Sequence, residues 1–308
     1  MQTFAANQVR LGFIGVGAMG SRLVRRLLAR GFKVTVYDKN QRNAETLRAD
    51  GASVANTPAE PAASADVILS CLTNDVAVRN VYLEAEGIFS AARAGQTVLE
   101  MSTVSPSTSR QLHAEGAKRG VNVMDVAISG STPAVEQGTI TLLAGGDDEL
   151  FHAAAPIFDV LAKQYFLMGP SGTGTSMKLV VNTILGVSMQ AIAEAIALGE
   201  AEGLDRKRLL TVLAQTALIA PAHKGKLATA EEEDYTSQFG VGLMNKDFGL
   251  ILEAAKSRNL DLPATAAAYG VNSEAFKEDP HADFSSVIRQ MEESLEVIRR
   301  PRTQNPLG

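Results

Sequence analysis

Short apolar runs near residues 9–14, 33–37, 53–56, 66–72, 97–101, 121–127, 140–144 and 165–168 alternate with helix-like stretches through the first half of the chain. Strands that alternate with amphipathic helices predict a parallel, doubly wound sheet with helices on both faces. A helical period with Met19, Leu23, Leu27 and Leu28 on one face follows the first strand, and further predicted helices cover residues 41–50, 58–64, 105–119 and 147–162, with Thr57-Pro58 and Ser105 as candidate caps. At residues 169–174, GPSGTG, the period changes, and almost only helical spacing follows, near 175–203, 205–217, 221–231, 239–258, 263–277 and 283–299. The expected architecture is a doubly wound α/β domain at 1–170 followed by an all-helical domain at 171–308. In the 175–203 stretch Met177, Leu179, Val180, Val181, Ile184, Leu185, Val187, Met189, Ile192 and Ile196 wrap more than one face. An all-round apolar helix is expected to be buried, here as the axis of the second domain and a candidate subunit contact.

The first strand ends in Gly15-Val16-Gly17-Ala18-Met19-Gly20. In a G-x-G-x-x-G turn one glycine makes the bend, one admits a pyrophosphate and one allows tight helix–strand packing, while the helix N-terminus attracts the phosphates. The next strand, KVTVY, ends in Asp38, 18 residues past Gly20, where a carboxylate can accept both ribose hydroxyls of an adenine dinucleotide. Asp38 repels a 2′-phosphate and favours NAD, whereas Lys39 and Arg42 leave NADP open. Open α/β sheets bind ligands outside the carboxyl ends of their strands, so residues 15–20, Asp38, Leu72-Thr73, Ser102-Thr103 and 129–131 should share one edge.

Lys178 and Asn182 stand four apart, on one face of an otherwise apolar helix. Buried polar groups there need a reason, since leaving them unpaired costs about 2 kcal/mol or more. A snorkelling lysine is one reading; a lysine that exchanges a proton with a substrate oxygen, helped by Asn182, is the other. Ser129-Gly130-Ser131 offers hydroxyls and backbone N–H groups to a carboxylate, or is a plain strand-to-helix turn. Asp247 reads as a helix-start acid, and Lys246 as a group able to reach the cofactor. His223, beside Lys224 and Lys226, is a candidate for a substrate mouth. The four histidines show no metal-ligand spacing, and His113 and His152 fall on helical surfaces.

Composition narrows the field. The chain carries a net charge of −5 and a pI near 5.5, without the basic field that nucleic acids require. The one basic run, residues 299–302, reads as part of a solvated, mobile tail. The single cysteine, Cys71, sits in an apolar run and reads as an inert core thiol. The first eight residues lack a secretory pattern, and the apolar run at 184–198 is interrupted by Gln190 and Glu194, so a cytoplasmic chain without a membrane partner is expected.

Four motifs together resemble the β-hydroxyacid dehydrogenases, the group of 3-hydroxyisobutyrate dehydrogenase, tartronate semialdehyde reductase and glyoxylate/succinic semialdehyde reductase. They are GFIGVGAMG at 12–20, DVAISGS at 125–131 with Gly138-Thr139, the stretch 172–182, and Lys246-Asp247. The resemblance spans residues 9–298. It implies Lys178 as the catalytic acid/base, with Ser129, Gly130 and Asn182 on the substrate, where the turn reading above adds Ser131. It also implies Leu72, Thr73, Thr103 and Lys246 on NAD(P), beside Gly15, Gly17, Ala18, Met19, Gly20 and Asp38 of the glycine-turn reading, catalysis in a cleft between two domains, and a homodimer or homotetramer. Ser131, Val181 and Phe248 depart from the usual residues of the family. The reaction implied is hydride transfer between NAD(P) and a small 3-hydroxyacid or semialdehyde. Imine reduction is a rival, but such enzymes usually carry Asp or Tyr where Lys178 stands. A non-catalytic dinucleotide-binding scaffold is a second rival, although related scaffolds lose the lysine.

Overall fold

The protein was analysed as a computed structural model, which describes residues 3–299 and, beyond residue 294, the backbone alone. The basic run at 299–302 and the tail after it therefore fall outside the described side chains. The chain forms two compact units, Met1–Val181 and Asn182–Gly308.

The first unit is built on one eight-stranded sheet of order β3-β2-β1-β4-β5-β6-β7-β8. Its strands are β1 (Arg10–Ile14), β2 (Lys33–Tyr37), β3 (Ser53–Val54), β4 (Val67–Ser70), β5 (Thr97–Glu100), β6 (Asn122–Ser129), β7 (Thr141–Gly145) and β8 (Gln164–Leu167). The helices between them are α1 (Ala18–Ala29), α2 (Gln41–Glu45), α3 (Ala59–Ser64), α4 (Asp75–Leu83), α5 (Ile88–Ala91), α6 (Pro106–Ala117), α7 (Thr132–Gln137), α8 (Asp148–Ala153) and α9 (Ala155–Leu161). Alternation in β1 sends Leu11 and Phe13 into one apolar layer, with Leu23, Val24 and Leu27 of α1, and Ile14 into the other, with Ile68, Val78 and Leu112. Strand order turns back between β1 and β4, where Ile14 pairs with Ser70. That is the switch point at which open sheets take up ligands.

The sheet departs from the expected pattern at β7, which runs antiparallel to β6. Only residues 130–140 join the two strands, and a parallel crossover needs about a dozen residues or more. The 41–50 helix stops at Glu45 and continues as turns. Thr57 caps nothing: α3 starts at Ala59, and Glu60 reaches back to accept the Asn56 N–H at 3.2 Å. Helices α4 and α5 escape the sequence pattern because each is short and only partly apolar. The single helix expected at 147–162 breaks at Ala154, just before Pro156, which has no N–H to continue it.

The helical elements that follow are α10 (Thr173–Ala201), α11 (Arg206–Gln215), α12 (Pro221–Glu231), α13 (Val241–Lys256), α14 (Pro263–Glu278), a 3-10 turn at Phe284–Ser286 and α15 (Val287–Arg299). Helix α10 begins in the first unit and continues into the second. It is long and apolar enough to cross a bilayer by length and composition, yet Lys178, Asn182 and Gln190 are buried polar residues on it. The expectation that it is buried all round does not hold within the chain. Val180, Ile184 and Leu198 are 54%, 65% and 64% exposed.

Candidate active site

The three glycines of the first turn divide the labour. Gly15 has φ +88, and a Cβ there would lie 2.4 Å from the Cys71 carbonyl oxygen. A Cβ on Gly20 would lie 2.0 Å from the Gly15 carbonyl oxygen, so α1 closes on the turn only with glycine at that position. A Cβ on Gly17 would meet nothing within 4 Å. Gly17 therefore faces open space at the start of α1, whose first turn, with Ala18 and Met19, holds no acid. This arrangement fits a pyrophosphate. Beside it lies a cavity of about 580 Å³ lined by Gly15, Gly17, Asp38, Cys71, Leu72 and Thr73, among others. Thr103 is half-buried beyond β5, and it does not line this cavity. Cys71 is half-buried: it packs against the core, as expected, and also lines the edge of the cavity just past the end of β4.

Asp38 is fixed at the end of β2. Its Oδ2 accepts the Val16 N–H at 2.8 Å, and its Oδ1 accepts the Asn40 N–H at 2.8 Å and the Asn43 amide at 3.3 Å. A carboxylate has about four acceptor positions, so capacity for a ribose hydroxyl remains. The ends of β4 and β5 are tied by a second carboxyl that the sequence analysis did not single out. The Leu72 N–H donates to Ser102 Oγ at 2.7 Å, and the Ser102 N–H donates to Glu100 Oε1 at 2.8 Å. Burial pushes Glu100 up to about 8, with the charges of Asp125 and Asp75 adding to the shift. Glu100 is thus mostly neutral at pH 7.

The serine–glycine turn follows β6. Gly130 has φ +151, and a Cβ there would lie 2.6 Å from Ile140. Ser131 caps α7 without using its side chain, which leaves the hydroxyl for other partners. Earlier on the same strand, buried Asp125 accepts the N–H groups of Gly172 at 2.6 Å and Thr175 at 2.8 Å. Lys178 lies one turn past Thr175 and is 8% exposed. In the sequence, the signal for Asp125 is an acid inside the apolar run VMDVAIS.

In the second unit Asn182 is fully buried, and its Nδ2 donates to Asp247 Oδ2 at 2.5 Å. Lys246 Nζ stands 2.9 Å from Asp247 Oδ1. Asp247 is not a helix-start acid: Gly240 caps α13, and Asp247 lies well inside it, buried against Asn182. Lys178 and Asn182 share a face of α10 one turn apart, while Lys246 takes an ion pair in the helical unit. The mouth suggested for His223 and Lys226 is not formed. His223 is buried with Nε2 3.0 Å from the Leu185 carbonyl oxygen, and Lys226 is buried on Asp283 at 2.7 Å. Asp283 also accepts the N–H groups of Gln238 and Phe239, which compensates both charges locally. His113 and His152 are exposed, and among the described residues no group of three or more His, Cys, Asp or Glu is placed to hold a metal.

A glycine turn, a strand-end acid beside a cavity and a buried lysine on a following helix are the layout of a Rossmann-type nicotinamide-dinucleotide oxidoreductase. The chain belongs to the β-hydroxyacid dehydrogenase family. Residues 10–169 match the family described as "NAD binding domain of 6-phosphogluconate dehydrogenase", and residues 172–291 match "NAD-binding of NADP-dependent 3-hydroxyisobutyrate dehydrogenase". It is 33% identical to 2-(hydroxymethyl)glutarate dehydrogenase of Eubacterium barkeri over 84% of this chain and 87% of that one. It is also 33% identical to glyoxylate/succinic semialdehyde reductase 1 of Arabidopsis thaliana, over 94% and 100%. A solved structure of Mycobacterium tuberculosis 3-hydroxyisobutyrate dehydrogenase with L-serine superposes with a TM-score of 0.84 at 27% identity, covering 94% of this chain and 99% of that one. The protein is therefore an NAD(P)-dependent enzyme that transfers hydride between NAD(P) and small hydroxyacids.

Proposed function

We propose that the substrate is a short 3-hydroxyacid, or the corresponding semialdehyde, with its carboxylate on the turn 129–131 and its reacting oxygen on Lys178. The names of the relatives support the class: 2-(hydroxymethyl)glutarate and L-serine share a hydroxymethyl carbon next to the carbon that bears the carboxylate. The observation that carries the reading is Lys178 itself, an amine buried on the second turn of a helix whose start is bonded to the strand that ends in Ser129. NAD(P) supplies the hydride acceptor or donor when bound to the glycine turn. Lys178 takes the hydroxyl proton in the oxidative direction and returns it in reduction. Ser129 and the backbone N–H groups of the turn orient the acid, and Ser131, where the family often has glycine, adds a hydroxyl that favours a substrate with a second polar group. Asn182, held by Asp247, orients the substrate oxygen, while Leu72, Thr73, Thr103 and Lys246 are cofactor contacts in this reading. Asp38 and its fixed carboxylate favour NAD over NADP. The exposed apolar positions Ile184 and Leu198 on α10 support a homo-oligomer, and a cytoplasmic location belongs to the same proposal.

The test is a panel of short hydroxyacids and semialdehydes, including 3-hydroxyisobutyrate, L-serine, tartronate semialdehyde and succinic semialdehyde, assayed with each cofactor. NAD-linked turnover of at least one of them, and none of cyclic imines, supports the proposal. Turnover of imines alone contradicts it.

A further inference from the structure

The strand that ends in the serine–glycine turn also holds the start of the lysine's helix. Asp125 lies on β6, opposite Glu100 of β5 and Gly145 of β7, and is 1% exposed. Its Oδ1 accepts the Gly172 N–H at 2.6 Å, with the Ser171 hydroxyl at 3.4 Å, and its Oδ2 accepts the Thr175 N–H at 2.8 Å. These are N–H groups at the N-terminal end of α10, which no preceding turn of the helix can satisfy. Two glycines permit the approach. A Cβ on Gly174 would lie 2.4 Å from the Leu143 carbonyl oxygen, and one on Gly145 would lie 2.8 Å from Asp125 Oδ1. The Thr175 and Ser109 hydroxyls pair at 2.9 Å, which adds α6 to the clamp.

Period decides what the clamp controls. Lys178 is three residues past Thr175, one helical turn along the same face. Ser129 is four residues past Asp125, so the two share a face of β6, about 13 Å apart along the strand. Strand β6 thus carries both the acid-binding turn and the anchor of the lysine's helix. The carboxyl of Asp125 lies above the ordinary range because burial disfavours its charge, and the backbone N–H bonds oppose that shift.

We propose that Asp125 is a positioning residue for Lys178: its two backbone hydrogen bonds set the distance from the lysine to the turn 129–131, and hence the turnover number. This rests on the reading of Lys178 given above. The residues named at the cofactor cavity come from β1, β2 and β4 and their following loops, so cofactor affinity should be indifferent to the clamp.

Asp125→Asn tests it, because an amide placed against two N–H donors can accept from only one. Gly174→Ala displaces the same helix start without a change of charge. For both variants thermal unfolding is followed first, and kcat, KM for the acid and the NADH dissociation constant are then measured below the melting temperature. Both should lower kcat at least about 10-fold, in line with the large penalty for sub-ångström to ångström misplacement, with the NADH constant within about 2-fold of the parent. A folded Asp125→Asn variant with kcat within 2-fold of the parent overturns the proposal. Parallel weakening of kcat and NADH binding also overturns it, since that marks a general structural role. If Asp125→Asn does not fold, Gly174→Ala decides by the same criteria. Full turnover in Lys178→Ala would sink the lysine reading itself, whereas an inactive Lys178→Ala beside an unimpaired Asp125→Asn removes only the clamp.

Discussion

Three carboxyls of the sheet have three different tasks, set by what surrounds them. Asp38 faces the cofactor cavity, Asp125 holds a helix, and Glu100 braces the end of β4 through Ser102. Replacing Asp38 by Asn should raise KM for NAD about 10-fold, the scale of one charge-assisted hydrogen bond. It should also narrow the preference over NADP, read as the ratio of kcat/KM for the two cofactors; an unchanged ratio would remove Asp38 from that role. Glu100 makes a pH prediction. The folded state keeps its proton up to about pH 8, whereas the unfolded chain loses it near the ordinary 4.5. Stability from this group is full below pH 4.5 and is lost as pH rises towards 8, by about 1.4 kcal/mol per unit at most. Urea unfolding at pH 5.5, 7 and 8.5 should therefore show a steeper decline for the parent than for Glu100→Gln, and parallel profiles would contradict the assignment. The glycine turn and Asp38 were legible because G-x-G-x-x-G and a strand-end acid are local patterns. Asp125 was not, because its partners Gly172 and Thr175 lie far along the chain, and neither was Glu100, whose bond from Ser102 follows no local pattern; only a charge within an apolar run betrays them.

Among the elements, α10 carries the most function and was read with mixed success. Its length and its polar pair Lys178 and Asn182 follow from helical spacing. Its exposed stripe does not, because hydropathy alone cannot tell which apolar face the chain itself covers. The antiparallel β7 was likewise hidden, since it depends on how short the 130–140 connection is. Asp247 illustrates the same limit at α13: the helix starts earlier than the charge pattern suggests, so a residue taken for a cap is the buried partner of Asn182. Asp247→Ala should destabilise the protein by about 1–3 kcal/mol, because it strips a buried amide of its acceptor. The midpoint of chemical unfolding measures this, and a change within 0.5 kcal/mol, as for about any ordinary surface site, would contradict the pairing.

In the whole molecule, a sheet with a dinucleotide-binding turn anchors the start of the helix that carries Lys178, within a family of hydroxyacid dehydrogenases. A homo-oligomer that covers Ile184 and Leu198 should be dissociated by glutamate at both positions, read by light scattering. A parent that is monomeric at micromolar concentration would set that part aside. The most direct measurement of the central claim is NADH oxidation at 340 nm with the best semialdehyde of the panel, for the parent and for Lys178→Ala. The account predicts a loss of at least about 10³-fold in kcat for the variant, at the scale of a lost general acid, with the NADH dissociation constant unchanged within 2-fold. Turnover by Lys178→Ala within 10-fold of the parent would contradict it.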